Sequence, residues 1–531
     1  MTFEASTIIC LVAGAIVAAL LFFLCSFRTA GILQQENYKS GAFFKWYFRK
    51  GNMLPRRLSL LALALLLGLA VFNLCFSFLS AKGANAVSAI PFAGLCLLYA
   101  YSDRRYSLKV PLKRTPRAVR LGVCYFIVLF LVSAGLGFGM TAADNAVGKE
   151  WMTLMRYLPF ALVPLLFPFL LAAANGLSKA YEVPANRRFI RKAKRALIES
   201  PCLKIGVTGS FGKTSVKNFA AAILSVRYRV RVTPASFNTP IGIALDVNRG
   251  GLDCDIYLAE MGARKRGDIT ELCDMVCPDY GVVTGVCPQH LETFGSIGAI
   301  AEEKGVLARR AKKGSVLGVS AQQSVPENAL CEGKDFAAED IVCTADGTDF
   351  VLRIGEEKIP VHTQLLGRHA AQDIALAAAL ASLVGMSTVE IAEGIAKITP
   401  VPHRLQKICA NGRFILDDSY NSNVEGAANA VETLRLFRGK KFVVTPGIVE
   451  LGVLEEEENE KLGASLVGLD EVILVGETLV LAVRTGYLAA GGDAERIRVV
   501  PTLQKAQDIL SEELSEGDCV LFLNDLPDIY R

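Results

Sequence analysis

Five apolar segments occupy most of the first 177 residues of this 531-residue chain. Each is about 18 to 22 residues long, close to the roughly 20 residues with which an α-helix crosses the hydrocarbon core of a bilayer. The segments are 7–27, 58–79, 84–101, 121–140 and 157–177. The pattern predicts a five-span, α-helical membrane region over residues 1–177. The first segment has no positive leading region, so we expect a retained span and not a cleaved signal.

Basic side chains are concentrated in three stretches that flank these segments: 28–57, 103–120 and 178–202. Cytoplasmic loops carry an excess of lysine and arginine, so all three stretches are expected on the cytoplasmic side. The predicted protein is therefore a multi-pass membrane protein, with its N-terminus outside and everything after the basic linker 178–202 inside. The basic residues of the linker either serve orientation alone or also bind anionic membrane lipid.

Charge and cysteine content exclude several classes of protein. The net charge is +5 without a long basic block, which argues against a nucleic-acid partner. The 14 cysteines are scattered singly, unlike a disulfide framework. Cys273 and Cys277 have no matching second pair, so a zinc site is not expected.

From about residue 203 the pattern changes to short Val/Ile/Leu-rich runs that alternate with amphipathic stretches, as in parallel α/β domains. The prolines of "TPVPHR" at 399–404 predict a boundary, which gives domains over 203–398 and 399–531. The predicted fold is thus a membrane region followed by a parallel-sheet α/β domain and a C-terminal, Rossmann-like α/β domain.

The stretch "IGVTGSFGKTSVKN" at 205–218 has the order strand, glycine-rich turn, helix, which is typical of a phosphate-binding loop. It is a variant of the P-loop pattern, because Val207 stands where the strict pattern has glycine. The loop glycines let backbone amides converge on phosphate oxygens, a lysine reaches the β- and γ-phosphates, and a hydroxyl binds Mg²⁺. The residues expected to bind ATP here are Gly209, Ser210, Gly212, Lys213, Thr214 and Ser215. A purely structural turn is the competing interpretation.

This variant loop resembles that of the Mur ligase family, the ATP-dependent amide-forming enzymes of peptidoglycan precursor synthesis. "TPASFNTPIG", "LAEMGARKRGDI", "PQHLETFGS" and "IAEEKGVL" resemble the next family motifs. The resemblance implies that Asn238 binds substrate and that Glu260 and His290 join Thr214 in binding Mg²⁺. It also implies that Lys304 is a catalytic lysine which is carbamylated in the family, with Lys213, Glu260 and His290 as the other catalytic residues.

Further motifs resemble the family's nucleotide and second-domain blocks. In "LLGRHAAQDI", His369 and Asp373 occupy adenine-contacting positions, but Ala370 and Asp373 replace two asparagines of the family pattern. "VPHRLQ" and "ILDDSYNSNVEG" resemble blocks that imply ATP contacts from Arg404 and Asp418. The second block resembles the branch that adds D-alanyl-D-alanine, and it implies substrate contacts from Tyr420, Asn421 and Asn423.

The resemblance covers residues 203–531 and fails over the first 200, where the family carries a domain that binds UDP. It implies a ligase that uses ATP and Mg²⁺ to activate a carboxylate as an acyl phosphate for attack by an amine such as D-alanyl-D-alanine. We expect the acceptor to be a muropeptide, either UDP-linked or lipid-linked, and other cell-wall synthesis proteins to be partners. The alternatives are a membrane-bound, capsule-type poly-amino-acid synthetase and a non-enzymatic membrane nucleotide switch.

Overall fold

A computed structural model describes most of the chain and divides it into two compact units, Met1–Ala185 and Asn186–Arg531. The described residues are 4–49, 52–75, 81–104, 112–147, 158–234, 237–323, 325–420, 423–477 and 479–524. The predicted substrate residue Asn421 lies outside them.

The described part of the first unit is helical. Its helices are α1 (Ala5–Cys25), α2 (Phe27–Gln35), α3 (Ser40–Tyr47), α4 (Met53–Cys75), α5 (Ala81–Arg104), α6 (Pro116–Val147) and the start of α7 (Leu158–Glu199). Among the described residues, four helical stretches are long and apolar enough to cross a membrane: Ala5–Cys25, Met53–Val71, Pro116–Ala143 and Pro159–Glu199.

Four of the five predicted spans therefore coincide with such helices. The remaining one, 84–101, lies within α5, but the side chains of that helix are described only from Ala89 onward. The described apolar stretch is too short to count as a span. The predicted loop 28–57 also holds two short helices, α2 and α3, in which buried Leu33 and Phe43 join the apolar core of this unit.

Two buried carboxylates connect helices of the first unit. Asp103 of α5 lies 2.9 Å from a guanidinium nitrogen of Arg57 on α4. Glu182 of α7 forms ion pairs of 3.1 Å and 3.3 Å with Arg117 and Arg120 of α6. A carboxylate in such a place costs free energy unless it is paired, so these contacts restrict how the helices pack.

The second unit begins with a six-stranded, fully parallel sheet in the order β2-β3-β1-β4-β5-β6. Its strands are β1 (Leu203–Thr208), β2 (Val230–Val232), β3 (Ile256–Glu260), β4 (Tyr280–Val283), β5 (Gly314–Leu317) and β6 (Ala329–Cys331). The helices among and after them are α8 (Lys213–Leu224), α9 (Pro240–Gly250), α10 (Asp268–Val276), α11 (Leu291–Phe294) and α12 (Ile297–Arg310). The central strands are continuous apolar runs because helices cover both faces of a parallel sheet.

An antiparallel sheet of three strands follows, which the sequence pattern did not predict. It consists of β7 (Phe336–Cys343), β8 (Thr348–Ile354) and β9 (Glu357–Thr363). The helices α13 (Arg368–Val384) and α14 (Thr388–Ile395) come next. The alanine-rich α13 is buried along most of its length between this sheet and α8, because small side chains allow close approach on several sides.

The last part of the unit is a second six-stranded sheet in the order β10-β11-β15-β12-β13-β14, in which β10 is antiparallel and the others are parallel. Its strands are β10 (Gln406–Ala410), β11 (Arg413–Asp418), β12 (Lys441–Thr445), β13 (Glu471–Val475), β14 (Ile497–Val500) and β15 (Cys519–Leu523). Its helices are α15 (Val424–Arg435), α16 (Glu455–Ser465), α17 (Val480–Ala489) and α18 (Leu503–Glu513). Residues 399–404, where two prolines predicted a break, lie between α14 and β10 without regular structure.

Candidate active site

The glycine-rich turn predicted from the sequence joins β1 to α8. Gly209 and Gly212 have φ angles of 152° and 71°. A Cβ atom on Gly212 would stand 2.6 Å from a carboxylate oxygen of Asp373, so a side chain there would collide with α13. The turn is fixed from the far side as well, since the Ser210 amide donates a 2.7 Å hydrogen bond to the Gly285 carbonyl.

Lys213 is the first residue of α8, and its ammonium folds back onto the turn. Its Nζ donates to the carbonyl oxygens of Gly209 and Ser210 at 2.8 Å and 3.1 Å. Burial lowers the pKa of Lys213, and the nearby Glu260 carboxylate acts in the opposite direction. The ammonium is therefore held in the loop by carbonyl groups, where it is available to a phosphate.

Glu260, at the end of β3, is the centre of a hydrogen-bond network under this loop. Its Oε2 accepts a 3.0 Å hydrogen bond from the Thr214 hydroxyl, and its Oε1 accepts one of 3.2 Å from the Asn238 side-chain amide. Thr214 and Asn238, which are 46 and 22 positions away from Glu260 in the chain, are thus in direct contact with it.

Lys217 is a member of this network that the sequence analysis missed. Its Nζ lies 3.2 Å from Oε2 of Glu260 and 2.9 Å from the Thr233 carbonyl. The two side chains are 1% and 2% exposed, so this is a fully buried ion pair. Lys217 stands four residues after Lys213, one helical turn along α8, and that spacing is the signal that would have identified it.

Thr214 and Glu260 together have the oxygen donors that a magnesium ion prefers. Among the described residues, no group of three or more His, Cys, Asp or Glu side chains is arranged as a complete metal site. Mg²⁺ commonly takes one or two carboxylates and completes its shell with water and substrate phosphate. The Thr214–Glu260 pair beside a phosphate-binding loop fits that arrangement.

The side-chain partners described for Glu260 include neither His290 nor Lys304. His290 immediately precedes α11, and its Nδ1 lies 2.8 Å from a carboxylate oxygen of Glu450. Its observed side-chain partner is therefore Glu450 and not Glu260. Lys304 is buried on α12, where burial, and next the charge of Lys213, lower the pKa of its amine to about 7.

A cavity of about 310 Å³ opens beside the phosphate-binding loop. Eight of the predicted site residues line it: Gly212, Thr214, Ser215, His369, Asp373, Arg404, Asp418 and Asn423. Thr284, Glu332 and Glu425 also line it and were not predicted. Thr284 and Glu332 come from loops with no motif of their own, so only the fold identifies them. Glu425 lies within the block "ILDDSYNSNVEG", which implied no role for it.

The carboxyl groups of this cavity have raised pKa values. Burial is the main cause for Asp373, Asp418, Glu332 and Glu425. The pKa of Asp418 rises to about 7 although Arg404 acts against the shift. Asp373 is raised well above its ordinary value, with the Glu332 charge adding to burial. Arg404 and a hydrogen bond from Ser215 oppose that increase.

His369 also lines the cavity, and its Nδ1 has no hydrogen-bond partner among the described residues. Burial lowers the pKa of this imidazole to about 4, so it is neutral near pH 7. A buried polar atom without a partner costs free energy, and a hydrogen-bonding ligand in the cavity would remove that cost.

The residues predicted from the second-domain block have mixed surroundings. Arg404 donates a 2.8 Å hydrogen bond to the Tyr420 carbonyl and stacks over the Tyr420 ring at 4.6 Å. Asn423 caps α15 by accepting a 3.0 Å hydrogen bond from the Gly426 amide, so it has a structural role in addition to lining the cavity.

Comparison with known proteins identifies the family. Two family models match: the Mur ligase middle domain over residues 207–381, and the Mur ligase glutamate ligase domain over 403–524. The UDP-N-acetylmuramoyl-tripeptide--D-alanyl-D-alanine ligase of Bacillus subtilis (strain 168) is 30% identical over 350 residues, which is 62% of this chain and 74% of that protein. The chain belongs to the Mur ligase family.

Other Mur ligases support the assignment. The enzyme of the same name from Escherichia coli (strain K12) is 32% identical over 296 residues, 52% of this chain. The chain spans 65% of the length of that relative. A solved structure of MurF ligase from Thermotoga maritima in complex with ADP has a TM-score of 0.58 and 26% identity, and the match covers 65% of this chain and 81% of that one.

The Mur ligase matches contain every residue of the candidate site. Lys213, Glu260 and Lys304 fall in the middle-domain match, whereas Arg404 and Asp418 fall in the second. MurF from Acinetobacter baumannii, at 21% identity and a TM-score of 0.58, supports the fold alone. Residues 1–206 lie outside both matched ranges.

Proposed function

We propose that the chain is an ATP-dependent, ADP-forming ligase of peptidoglycan precursor synthesis that joins D-alanyl-D-alanine to a muramoyl tripeptide. The relatives from Bacillus subtilis and Escherichia coli carry the name of that activity. The observation that carries the proposal is the contact of Glu260 with both Thr214 and Asn238 beneath the phosphate-binding loop. It brings a magnesium-type donor pair and a candidate substrate residue to one point.

The chemistry follows from the poor reactivity of a carboxylate toward amines. An acceptor carboxylate oxygen attacks the γ-phosphorus of ATP, and the bond to the bridging oxygen of ADP breaks. The amine nitrogen then attacks the carbonyl carbon of the acyl phosphate and inorganic phosphate leaves. When bound at Thr214 and Glu260, with His290 as a further ligand, Mg²⁺ would supply positive charge to the phosphates.

The protein's own groups hold the reactants. Lys213 neutralises charge on the transferred phosphate from its place in the loop. Arg404, Asp418 and His369 line the cavity and bind the nucleotide, and the His369 Nδ1 has no hydrogen-bond partner among the described residues. Asn238, Tyr420, Asn421 and Asn423 are assigned to substrate.

Lys304 is assigned to carbamylation. A lysine amine attacks carbon dioxide only when it is neutral, and a pKa of about 7 gives a large neutral fraction at physiological pH. The attack forms an N–C bond and releases a proton, which leaves an anionic carbamate. An anion at this position is compatible with Mg²⁺, whereas an ammonium would repel it.

We further propose that the enzyme is a multi-pass protein of the bacterial cell membrane with its catalytic domains, 203–398 and 399–531, in the cytoplasm, the second of them Rossmann-like. Basic residues at 28–57, 103–120 and 178–202 support this orientation. Four helical stretches are long enough to span, and a cytoplasmic position for all three basic segments requires that α5 also cross the membrane as the fifth span. Since the matched ranges begin at residue 207, recognition of UDP is not assigned to any described residue. The acceptor is accordingly a membrane-associated, lipid-linked muropeptide.

ADP release by the detergent-purified full chain tests both levels of the proposal. The assay contains D-alanyl-D-alanine and either UDP-linked or lipid-linked muramoyl tripeptide, with K213A as the inactive control. Turnover with either acceptor that is lost in K213A supports the ligase. Turnover that is as fast with the UDP-linked acceptor overturns the lipid-linked assignment, and the absence of ADP release with both acceptors overturns the ligase assignment.

A further inference from the structure

The contact between His290 and Glu450 joins the two matched parts of the Mur ligase. His290 lies in the middle-domain match and Glu450 in the glutamate ligase domain match. Their side chains, 2.8 Å apart, are 17% and 26% exposed, so water screens the contact only partly. Both residues have left-handed backbone conformations, with φ of 54° and 66°, which non-glycine residues adopt only when the surroundings impose it.

The loop that carries Glu450 is held in place by two buried asparagines. The Asn459 side chain both accepts from the Ile448 amide and donates to the Ile448 carbonyl, each at 2.8 Å. The Asn524 side chain donates to the Gly447 carbonyl at 2.7 Å. The loop between β12 and α16 is thereby fixed, and the Glu450 carboxylate meets His290 with little further loss of conformational freedom.

His290 is fixed from the other side by its own loop. The Thr293 hydroxyl donates to the His290 carbonyl at 3.0 Å and also to the Arg264 carbonyl. The imidazole therefore has a constrained backbone and one ring nitrogen occupied by a carboxylate. This is the arrangement in which an outer carboxylate fixes the tautomer and direction of a histidine whose other nitrogen binds a metal.

We propose that Glu450 is a positioning residue that acts through His290. Its carboxylate accepts a hydrogen bond from Nδ1–H of the imidazole, which leaves Nε2 as the nitrogen with which His290 would bind Mg²⁺. Because Glu450 comes from the second matched part, His290 is oriented only while the two parts are together as described. Glu450 thus makes metal binding depend on domain closure. This inference rests on the proposed function, from which the role of His290 is taken.

The test compares E450A, E450Q and E450D in the detergent-purified full chain. D349N is the matched control, because Asp349 also lies 2.8 Å from Nδ1 of a histidine, His362, but that pair is 56% and 70% exposed. Two quantities are measured: the Mg²⁺ concentration at half-maximal ADP formation, and Mn²⁺ binding by electron paramagnetic resonance with AMPPCP present. Loss of an outer partner typically costs about 10–100-fold in metal affinity.

We expect E450A to weaken Mn²⁺ binding about tenfold or more, with E450Q and E450D between it and the native chain, and D349N unchanged. H290A combined with E450A should bind Mn²⁺ as H290A alone does, because the carboxylate acts only through the imidazole. Native Mn²⁺ affinity in E450A, or an additional loss in the double variant, overturns the inference.

The two proposals fail in distinguishable ways. If the native chain forms no ADP with any acceptor, the ligase proposal fails, whereas Mn²⁺ binding still reports on Glu450. If the native chain is active and E450A matches it in both quantities, the positioning role fails and the ligase stands. Should E450A be unfolded by its melting curve, the E450D and E450Q comparison decides the question.

Discussion

The hydrogen-bond network at the phosphate end of the candidate site and the cavity that opens beside the phosphate-binding loop differ in how their carboxyl groups are paired. At the phosphate end, the Glu260 carboxylate accepts hydrogen bonds from Thr214 and Asn238 and forms an ion pair with Lys217. The cavity contains four carboxyl groups whose pKa values are raised by burial. One of them, Asp373, lies beside Gly212 and Ser215, so the two parts meet at the phosphate-binding loop, and among the described residues only the first has a buried cation in contact with its carboxylate.

The largest expected effect concerns the buried ion pair at the phosphate end. K217M removes the ammonium and leaves the Glu260 carboxylate buried without its cation, which should cost about 3–5 kcal/mol of stability. Denaturant midpoints of the full chain in detergent measure it. K397M breaks an exposed i,i+4 pair with Glu393 and should cost no more than about 0.5 kcal/mol. Equal midpoints for the two variants would mean that Lys217 is not the main counter-charge of Glu260.

Lys304 provides the next largest effect. K304A removes the amine from which the carbamate forms, and ADP formation should fall about 10²–10³-fold, the usual loss for one preorganised charged group. Added short-chain carboxylate should restore part of the activity by replacing the lost anion. In the native chain, the activation of ADP formation by added carbon dioxide should be stronger at higher pH, since the neutral fraction of the Lys304 amine grows as pH rises through about 7.

The exposed lysine Lys312 supplies the control for that experiment, and K312A should remain fully active. A K304A variant that keeps native turnover, or one that carboxylates do not rescue at all, would argue against a carbamate at this position.

In the cavity, D373N should strengthen nucleotide binding about tenfold at high pH, a difference of about 1.4 kcal/mol. The carboxyl lies beside Gly212 of the phosphate-binding loop, and its ionised form repels a phosphate. Its raised pKa means that native affinity should fall as pH rises and Asp373 loses its proton. The dissociation constant of ADP between pH 6 and 9 measures this. The increase of this dissociation constant with pH should be smaller in D373N and unchanged in D349N.

Asp418, Glu332 and Glu425 also line this cavity with raised pKa values, and Arg404 acts to lower the pKa of Asp418 as it does that of Asp373, so part of the pH dependence should survive in D373N. If D373N keeps the full pH dependence of the native chain, that dependence comes from those groups, and nucleotide binding does not respond to the charge of Asp373.

The smallest effect is expected at Ser215, which follows Thr214 in the chain and forms a hydrogen bond with Asp373. Its hydrogen bond lowers the pKa of Asp373, so S215A should raise that pKa further. The hydrogen bond should contribute about 1 kcal/mol. Its loss should therefore move the midpoint of the pH dependence of nucleotide binding upward by less than about one pH unit. A downward shift in the same ADP titrations would mean that Ser215 does not stabilise the ionised carboxylate.

Local features were predictable from the sequence because their signals lie within a few residues. The phosphate-binding loop, the strand that ends at Glu260 and the break at 399–404 all depend on the spacing of glycine, proline and apolar residues. The antiparallel sheet β7–β9 was missed because its strands contain no motif. They also follow a series of alternating strands and helices, a pattern that favoured continued parallel α/β structure. Its strand β8 alternates only in part between buried and exposed residues.

Contacts between distant residues were less accessible. The family resemblance assigned Asn238 to substrate and Glu260 to Mg²⁺, and it predicted neither the hydrogen bond between them nor the direction of the His290 side chain. Glu450 lies in the stretch "TPGIVELG" at 445–452, and no sequence rule places it against a histidine 160 positions earlier. Asn423 matches a substrate position and also caps a helix, and sequence alone does not separate those roles.

The ammonium of Lys217 under Glu260 has a consequence for how this chain survives without its metal. A cluster of uncompensated carboxylates would make a magnesium-free enzyme fragile, and chelation would then unfold it. Here the Glu260 carboxylate is already paired with the ammonium of Lys217, a cation that belongs to the chain and cannot be chelated. The loop should therefore keep its shape without magnesium. We expect treatment with a chelator to abolish turnover reversibly and to leave the melting temperature nearly unchanged. A cell short of magnesium would therefore retain a dormant enzyme instead of losing it to proteolysis.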